Sequence, residues 1–357
     1  MKTITIAEFQ AACSAQGVPR EHIAVKCPVC GTVQSIADMR DAIAKVKHAS
    51  KSLAPVVVVG APIQVGPAVH GCAVVVHRGA VFAGFPGGRL VTCGLTHVGP
   101  PERDAKTGEF RDLHGLYTRM RASEPSISGA WDGDDYVMRL TATIAEGWLH
   151  GYQLRLTRTY ELSLTAPEIR LHDVVANLTD KPVPLMILYH FNMGYPMVRV
   201  GTRLAAAGAT FPRDDEARKG LATWWDYSEA QSGYVEQVFF HHVQAQDGWT
   251  EVALVTGDAL ALGFRYNADA LPYLTQWKNL RQGMYVHGVE PGNCIPEGRN
   301  AAEQHGRLDL LGAGETRDMG QVVLTVYSDA YEITQLQGRL DTLRNTGTPV
   351  AGFGLGE

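Results

Sequence analysis

The sequence of 357 residues has little net charge, few cysteines and no long uninterrupted apolar run. A formal charge of -5 provides no concentrated basic field, so a nucleic-acid surface is not expected. Six scattered cysteines are too few for a disulfide scaffold, and MKTITIAEF at the start has no apolar core of signal-peptide length. We therefore expect a reducing, cytoplasmic setting.

The segment from Ser52 to Val76 has no Asp, Glu, Lys or Arg, which raises the question of a membrane span. Several prolines and glycines interrupt this segment. Two short buried strands, VVVV at 56–59 and AVVV at 73–76, are therefore a better interpretation than one spanning helix. No membrane partner is expected.

The first 50 residues are predicted to form a small α/β unit. EFQAACSAQ and SIADMRDAIAKVKHA have the pattern of two short helices. Between them, Cys27 and Cys30 form a CxxC turn that can supply half of a zinc site, but further ligands at zinc-ribbon spacing are missing. A zinc-held interaction module stays open as a weaker hypothesis for this segment. Residues 51–84 are predicted to be an irregular junction with short strands.

From about residue 72 the sequence consists of short β-rich runs broken by Gly, Pro and Asp. YQLRLTRTYEL alternates like a half-buried antiparallel strand, whereas the almost continuously apolar VPLMILYHFN suits a strand buried on both faces. The series continues with EIRLHDVVANLTD, QVFFHHV, TEVALVTG, ALGFRYN, GMYVHGVE and GQVVLTVYS. Because βαβ alternation and a phosphate-cradling glycine loop are missing, a large β-sandwich is favoured over an α/β fold.

Seven motifs follow one another in a specific order: PGGRLVTCGLTHVGPP, DLHG, RTYEL, LYHFNMGYP, LPYLTQWKN, YVHGVEPGN and GRLDLLGAGETR. Together they resemble aldose 1-epimerase-like proteins of the galactose mutarotase superfamily, in the branch catalogued as a domain of unknown function. The resemblance covers about residues 85–340. It implies a mainly β, galactose-mutarotase-like β-supersandwich over residues 85–357 with a sugar on its concave face. Residues 1–45 instead resemble a family of small uncharacterised prophage-borne proteins.

The same resemblance implies roles for individual residues. His190 in LYHFNMGYP is the implied general acid, and Glu290 in YVHGVEPGN is the implied general base. His114 in DLHG is the implied residue that binds and polarises the substrate. The weaker candidates for sugar contacts are Lys278, Asn192 and, for an arginine near the family's N-terminus, Arg78 or Arg89.

The chemistry of anomer exchange suits these residue types. Opening a cyclic hemiacetal requires removal of the anomeric hydroxyl proton and delivery of a proton to the ring oxygen. A carboxylate and an imidazole can supply both transfers, since imidazole titrates near working pH, at about 6.5. A carbohydrate mutarotase acting on a small sugar or sugar derivative is therefore the expected function, and it needs no metal, nicotinamide or other cofactor.

Each candidate also has an ordinary structural interpretation. A histidine that ends an apolar strand most often packs in the core, a glutamate before proline can cap a turn, and a histidine before glycine can be a turn residue. Lys278 can extend its stem along Trp277. His287 and Glu290 have a metal-ligand spacing, but on a strand they would point to opposite faces, so no shared metal ion is expected.

The N-terminal part departs from the resemblance. VVHRGAV at 75–81 retains only Arg78 and Gly79 of an expected Asp-Arg-Gly turn. Missing strands would leave sheet edges that must be covered or associate, so a homo-oligomer stays open. A carbohydrate-binding or catalytically inactive β-sandwich module is the alternative function. It is favoured by the altered N-terminus and by the aromatic residues Trp224, Trp225, Tyr195 and Trp277.

Overall fold

The computed structural model describes residues 90–104, 106–149, 151–257 and 260–350, together with two short strands at 24–26 and 33–35. The chain divides into two compact units, Met1–Cys72 and Ala73–Glu357. In the first unit, β1 (Ala24–Lys26) pairs antiparallel with β2 (Val33–Ser35). The helices predicted within residues 1–50, the CxxC cysteines, the junction strands at 56–59 and 73–76, Arg78 and Arg89 lie outside the described residues.

The second unit consists mainly of antiparallel strands. Its described strands are β3 (Leu90–Leu95), β4 (Glu102–Arg103), β5 (Phe110–Arg111), β6 (Ser123–Asp132), β7 (Asp135–Gly147), β8 (Gln153–Ser163), β9 (Glu168–Asn177), β10 (Val183–Pro184), β11 (Met186–Met193), β12 (Thr202–Ala206), β13 (Gly208–Pro212), β14 (Gln237–Ala245), β15 (Trp249–Thr256), β16 (Ala261–Asn267), β17 (Tyr273–Arg281), β18 (Met284–Gly292), β19 (Leu310–Leu311), β20 (Thr316–Tyr327) and β21 (Thr348–Pro349). Its described helices are α1 (Asp215–Lys219), α2 (Arg299–Gln304) and α3 (Ala330–Thr346), with 3-10 turns at Tyr117–Arg119 and Leu221–Thr223.

Two antiparallel sheets dominate this unit. The seven-stranded sheet has the order β13-β14-β17-β18-β11-β3, with β21 paired to β14. The eight-stranded sheet has the order β12-β15-β16-β20-β9-β8-β7-β6. The small pairs β4-β5 and β10-β19 lie outside these sheets. The mainly β sandwich predicted from the sequence is confirmed.

The main core lies between the two sheets. On β11, Ile187, Tyr189 and Phe191 join an apolar cluster with residues of the eight-stranded sheet, and the ring of Phe191 lies 5.4 Å from that of Phe264. Side chains alternate along a strand, so His190 lies on the face turned away from the eight-stranded sheet. This face of the seven-stranded sheet is called the outer face below. β11 is buried along nearly its whole length, as its continuous apolar run predicts.

The predicted half-buried strand is β8. Leu154 and Leu156 are buried in the core, while Gln153 and Arg155 between them are exposed. This alternation is expected for an antiparallel strand with one face on the core and one face in water.

Helix α3 covers part of the other side of the eight-stranded sheet. Asp329 caps its start by accepting hydrogen bonds from backbone amides, and Ile333, Leu336 and Leu340 pack against Ala253 of β15. Burying such aliphatic side chains contributes about 1.5–3 kcal/mol each. No helix in the described residues is both long and apolar enough to cross a bilayer.

Candidate functional site

His190 and Glu290 meet on the outer face of the seven-stranded sheet. β11 and β18 pair so that Leu188 faces Gly292 and Phe191 faces Val289, which places His190 opposite Glu290. His190 Nε2 lies 3.1 Å from Glu290 Oε1, and the two side chains are 7% and 3% exposed. Antiparallel pairing thus brings two residues that are far apart in sequence into direct contact.

The surroundings of this pair favour the neutral form of each group. Burial lowers the pKa of His190 to about 3, and the neighbouring His114 adds to this effect. Burial also raises the pKa of Glu290 well above its usual range, helped by the negative charge of Glu236. The two groups are in close contact, but Glu290 Oε1 accepts no hydrogen bond from the described residues. At this separation a carboxyl and an imidazole titrate as a coupled pair.

Gly288 makes room for the pair. It lies on the outer face two residues before Glu290, with Asn192 opposite it on one side and Trp277 on the other. A Cβ at Gly288 would overlap Glu290 Oε1 and would lie 3.1 Å from Cε1 of His190. The carboxyl group therefore lies in space that only a glycine leaves open.

His114 reaches the pair from the turn that follows β5. Its ring centroid lies 6.2 Å from that of His190, at an interplanar angle of 75°. Its φ of 56° is in the left-handed region, and its backbone donates to Gly99 O at 2.9 Å and accepts from Gly94 N at 3.0 Å. Burial of the imidazole, together with the charge of His97, lowers the pKa of His114 to about 4. A neutral imidazole therefore faces the pair at neutral pH.

Trp277 forms a wall beside the pair. Its ring centroid lies 5.5 Å from that of His190. The indole Nε1 donates a hydrogen bond of 2.7 Å to Glu236 Oε2, and the other oxygen of Glu236 lies 3.6 Å from the guanidinium of Arg213. Arg213 and Glu236 are 37% and 31% exposed, so this wall leads from the buried pair to solvent.

Asn192 and Lys278 lie on opposite faces of the sheet. Asn192 is half-buried on the outer face, where it is the neighbour of His190 along β11. Lys278 points to the inner side, where Nζ donates to Thr223 O at 3.1 Å and lies 5.4 Å from the centroid of the Tyr227 ring. Burial in this position lowers the pKa of Lys278 to about 8. The structure brings His114, His190 and Glu290 together with Asn192 nearby, but it does not bring Lys278 to them.

A second polar cluster lies behind the pair, on the inner side of the same strands. His287 Nδ1 lies 3.0 Å from the Tyr227 hydroxyl, and His241 Nε2 lies 3.0 Å from Gln276 Oε1. His287 and Glu290 are thus on opposite faces, as their spacing along a strand indicates. No group of three or more His, Cys, Asp or Glu side chains is arranged to hold a metal ion in the part of the chain that the structure describes.

Sequence reasoning assigned no role to Gly288, Glu236 or Arg213. Glu236 directly precedes β14, and Arg213 directly follows its partner β13. These two positions become neighbours only through the pairing of the strands, which the sequence does not specify. Gly288 gave a weak signal, because alternation in HGVE places it on the same face as Glu290.

Comparison with known proteins gives a family and a fold. Residues 65–325 match the family described as a domain of unknown function (DUF4432), and residues 5–62 match a family described as VVA0879-like. No curated protein matches the chain.

Comparison with solved structures supports the sandwich fold. A "putative aldose 1-epimerase" from Klebsiella pneumoniae is 24% identical, with a TM-score of 0.69 over 74% of this chain and 69% of that one. A galactose mutarotase-like protein from Clostridium acetobutylicum is 15% identical, with a TM-score of 0.46 over 66% of this chain and 79% of that one. The first similarity confirms the predicted β-sandwich fold.

Proposed function

The chain belongs to the family described as a domain of unknown function (DUF4432), and on that premise we propose that it is a carbohydrate mutarotase. It would be an isomerase of the aldose 1-epimerase type that interconverts the anomers of an aldose or a related sugar derivative. The observation that carries the proposal is the contact of 3.1 Å between His190 and Glu290, with His114 and Trp277 beside it on the same face. The sandwich fold shared with the Klebsiella pneumoniae protein also supports it.

The pair supplies both proton transfers of the reaction. Glu290 takes the proton of the anomeric hydroxyl while His190 gives a proton to the ring oxygen. At the same time the bond from the anomeric carbon to the ring oxygen breaks, and the anomeric carbon becomes a carbonyl group. Rotation about the adjacent carbon-carbon bond turns the other face of this carbonyl to the ring hydroxyl. When the ring closes again, Glu290 returns its proton to the anomeric oxygen and the ring hydroxyl returns a proton to His190. The reaction therefore consumes no proton. Each such transfer contributes typically about 10²- to 10⁴-fold in rate.

These roles require the ion-pair form, with imidazolium beside carboxylate, whereas burial favours the neutral form of the pair. Both forms hold one proton in total and differ only in its position across a gap of 3.1 Å. Hydroxyl groups of a bound sugar stabilise a carboxylate by donating hydrogen bonds to it. Substrate binding would therefore shift the pair towards its reactive form.

The residues around the pair would hold the sugar. Trp277 offers an aromatic face on which the C–H groups of a pyranose can stack. Glu236, fixed at one oxygen by the indole, offers an acceptor for sugar hydroxyls. His114, neutral at physiological pH, can accept one hydrogen bond from the substrate or donate one to it. Asn192 adds an amide on the same face.

Exchange NMR on a panel of aldoses and sugar derivatives tests the proposal, because it measures anomer interconversion directly at equilibrium. Glu290→Gln should lower the enzymatic rate by about 10²- to 10⁴-fold, since the amide cannot accept the proton. Glu332→Gln, at an exposed position of helix α3, is the matched control and should keep the wild-type rate. Rates equal to buffer for every sugar, or an undiminished rate in Glu290→Gln, would refute the proposal.

A carbohydrate-binding module without catalysis is the alternative. It is favoured by the aromatic wall of Trp277 and by the neutral form that burial gives the pair. Saturable sugar binding in titration calorimetry, without any anomer exchange for the bound sugar, would establish this alternative. Absence of binding to the whole panel would exclude both functions for those sugars.

A further inference from the structure

A buried carboxylate on the eight-stranded sheet holds the end of β3. Glu146 of β7 is only 1% exposed. Its Oε2 accepts a hydrogen bond of 2.9 Å from the backbone amide of Leu95, and its Oε1 accepts from the hydroxyls of Thr96 at 2.8 Å and Tyr152 at 2.9 Å. One side chain thus ties the last residue of β3, in the seven-stranded sheet, to β7 in the eight-stranded sheet.

The same end of β3 supports the turn that carries His114. The N–H of Gly94 donates to the carbonyl of His114 at 3.0 Å. Gly115 packs so closely here that a Cβ would lie 2.5 Å from the carbonyl oxygen of Gly94 and 2.6 Å from that of His97. Any shift of the peptides around Leu95 would therefore be transmitted to the turn.

His114 needs such support because its backbone is in an unfavourable region. A φ of 56° is adopted routinely only by glycine, and a residue with a side chain keeps it only when its surroundings enforce it. The turn is anchored at one end by the bond from His114 N to Gly99 O, and at the other by β3. This second anchor is fixed by the pairing of β3 with β11 and, from the opposite sheet, by the buried side chain of Glu146.

We propose that Glu146 is a positioning residue, which sets the place of the His114 imidazole against the His190–Glu290 pair by fixing the end of β3. This inference rests on the proposed function, because it assigns Glu146 a role in that reaction. Glu146 has no direct contact with the pair, and its effect on the rate passes through His114. Its three hydrogen bonds distinguish it from a residue that only fills space between the sheets.

Glu146→Gln is the primary test. A carboxylate accepts hydrogen bonds at both oxygens, whereas the glutamine amide accepts them only at its one oxygen. At least one of the three donors therefore loses its acceptor. Misplacing a catalytic group from a distance can cost about 100-fold in rate, and we expect a 10- to 100-fold loss in kcat/KM at a temperature well below unfolding. In a His114→Ala background the same change should cost no further activity. Equal losses in the two backgrounds would overturn the inference.

Tyr152→Phe removes a single donor and keeps the aromatic ring, so it serves if Glu146→Gln does not fold. NMR of ¹⁵N-labelled histidine gives a readout that does not depend on activity. Both variants should shift the imidazole signals of His114 and raise its pKa from about 4 towards the usual value. Unchanged His114 signals would overturn the positioning role. Absence of anomer exchange in the wild-type protein would instead refute the proposed function.

Discussion

Trp277 and Lys278 are neighbours on β17, yet they serve opposite faces of the seven-stranded sheet. Trp277 stands beside His190 on the outer face, with its indole N–H bonded to Glu236. Lys278 is enclosed on the inner side, against Tyr227. A substitution at each position should therefore affect a different property of the protein.

Trp277→Phe should weaken sugar binding, because it removes the donor that fixes Glu236 and reduces the stacking surface. We expect KM to rise several-fold with a smaller change in kcat, measured by exchange NMR over a range of sugar concentrations. Lys278→Met is the matched control on the same strand. It should leave kcat and KM unchanged, whereas a comparable loss of activity would contradict the assignment of Lys278 to the inner side.

The strands could be predicted from the sequence because their patterns are local. Alternation in YQLRLTRTYEL and the continuous apolar run of VPLMILYHFN correspond to β8 and β11, with the expected burial. The pairing of β11 with both β3 and β18 depends on contacts between distant segments, which periodicity does not encode. Helix α3 was not predicted, because its polar and apolar residues give only a weak helical pattern.

The site was predictable to the extent that motifs mark it. The resemblance pointed to His114, His190 and Glu290, which the fold brings together on one face. Gly288 and Glu236 were missed. Gly288 matters because it lacks a side chain, and Glu236 matters because strand pairing places it, directly before β14, within reach of Trp277. The same resemblance suggested Lys278 as a sugar contact. Because side chains alternate along a strand, however, its position directly after Trp277 already indicates the opposite face of the sheet.

The pH profile of anomer exchange should lack the usual histidine inflection near 6.5. With the pKa of His190 lowered to about 3, the pair takes up a second proton only in acidic solution, and the raised pKa of Glu290 moves the loss of the first proton above the usual range of a glutamate. We expect kcat/KM, corrected for buffer catalysis, to show no acid limb above about pH 5. It should fall in more acidic solution, as the pair takes up a second proton, and again at higher pH, as the pair loses the first. An acid limb centred on pH 6.5 would show that His190 titrates normally.

Gly288→Ala should disable the pair without unfolding the sheet. The new methyl group would occupy the space of Glu290 Oε1 and force the carboxyl away from His190. We expect a loss of about 100-fold or more in kcat, with an unchanged far-UV circular dichroism spectrum. Gly338→Ala, in the middle of α3 where a Cβ would have nothing within 4 Å, is the control and should retain full activity. Wild-type kcat in Gly288→Ala would show that the carboxyl has another productive position.

Thr275→Val should stabilise the protein. Thr275 is 1% exposed and lies opposite Glu290, and its hydroxyl oxygen has no hydrogen-bond partner among the described residues. Leaving such a group buried costs about 1–3 kcal/mol, and valine has nearly the same shape without this cost. The midpoint of thermal unfolding should rise by roughly 2 °C or more. Thr275→Ser keeps the hydroxyl and loses a methyl group, so it should lower the midpoint. A lower midpoint in the valine variant would mean that the hydroxyl is satisfied.

His241 should make the stability of the fold depend on pH. The buried imidazole lies between Thr210 Oγ1 and Gln276 Oε1, and burial lowers its pKa to about 4, whereas an unfolded chain has a value of about 6.5. Between these values the unfolded state binds more protons, so the free energy of unfolding falls as the pH falls from 6.5 to 4. One such group contributes up to about 1.4 kcal/mol per pH unit. Urea unfolding of His241→Gln at pH 7 and pH 5 should show a smaller decrease than the wild-type protein. An equal decrease in both would show that His241 does not titrate differently in the two states.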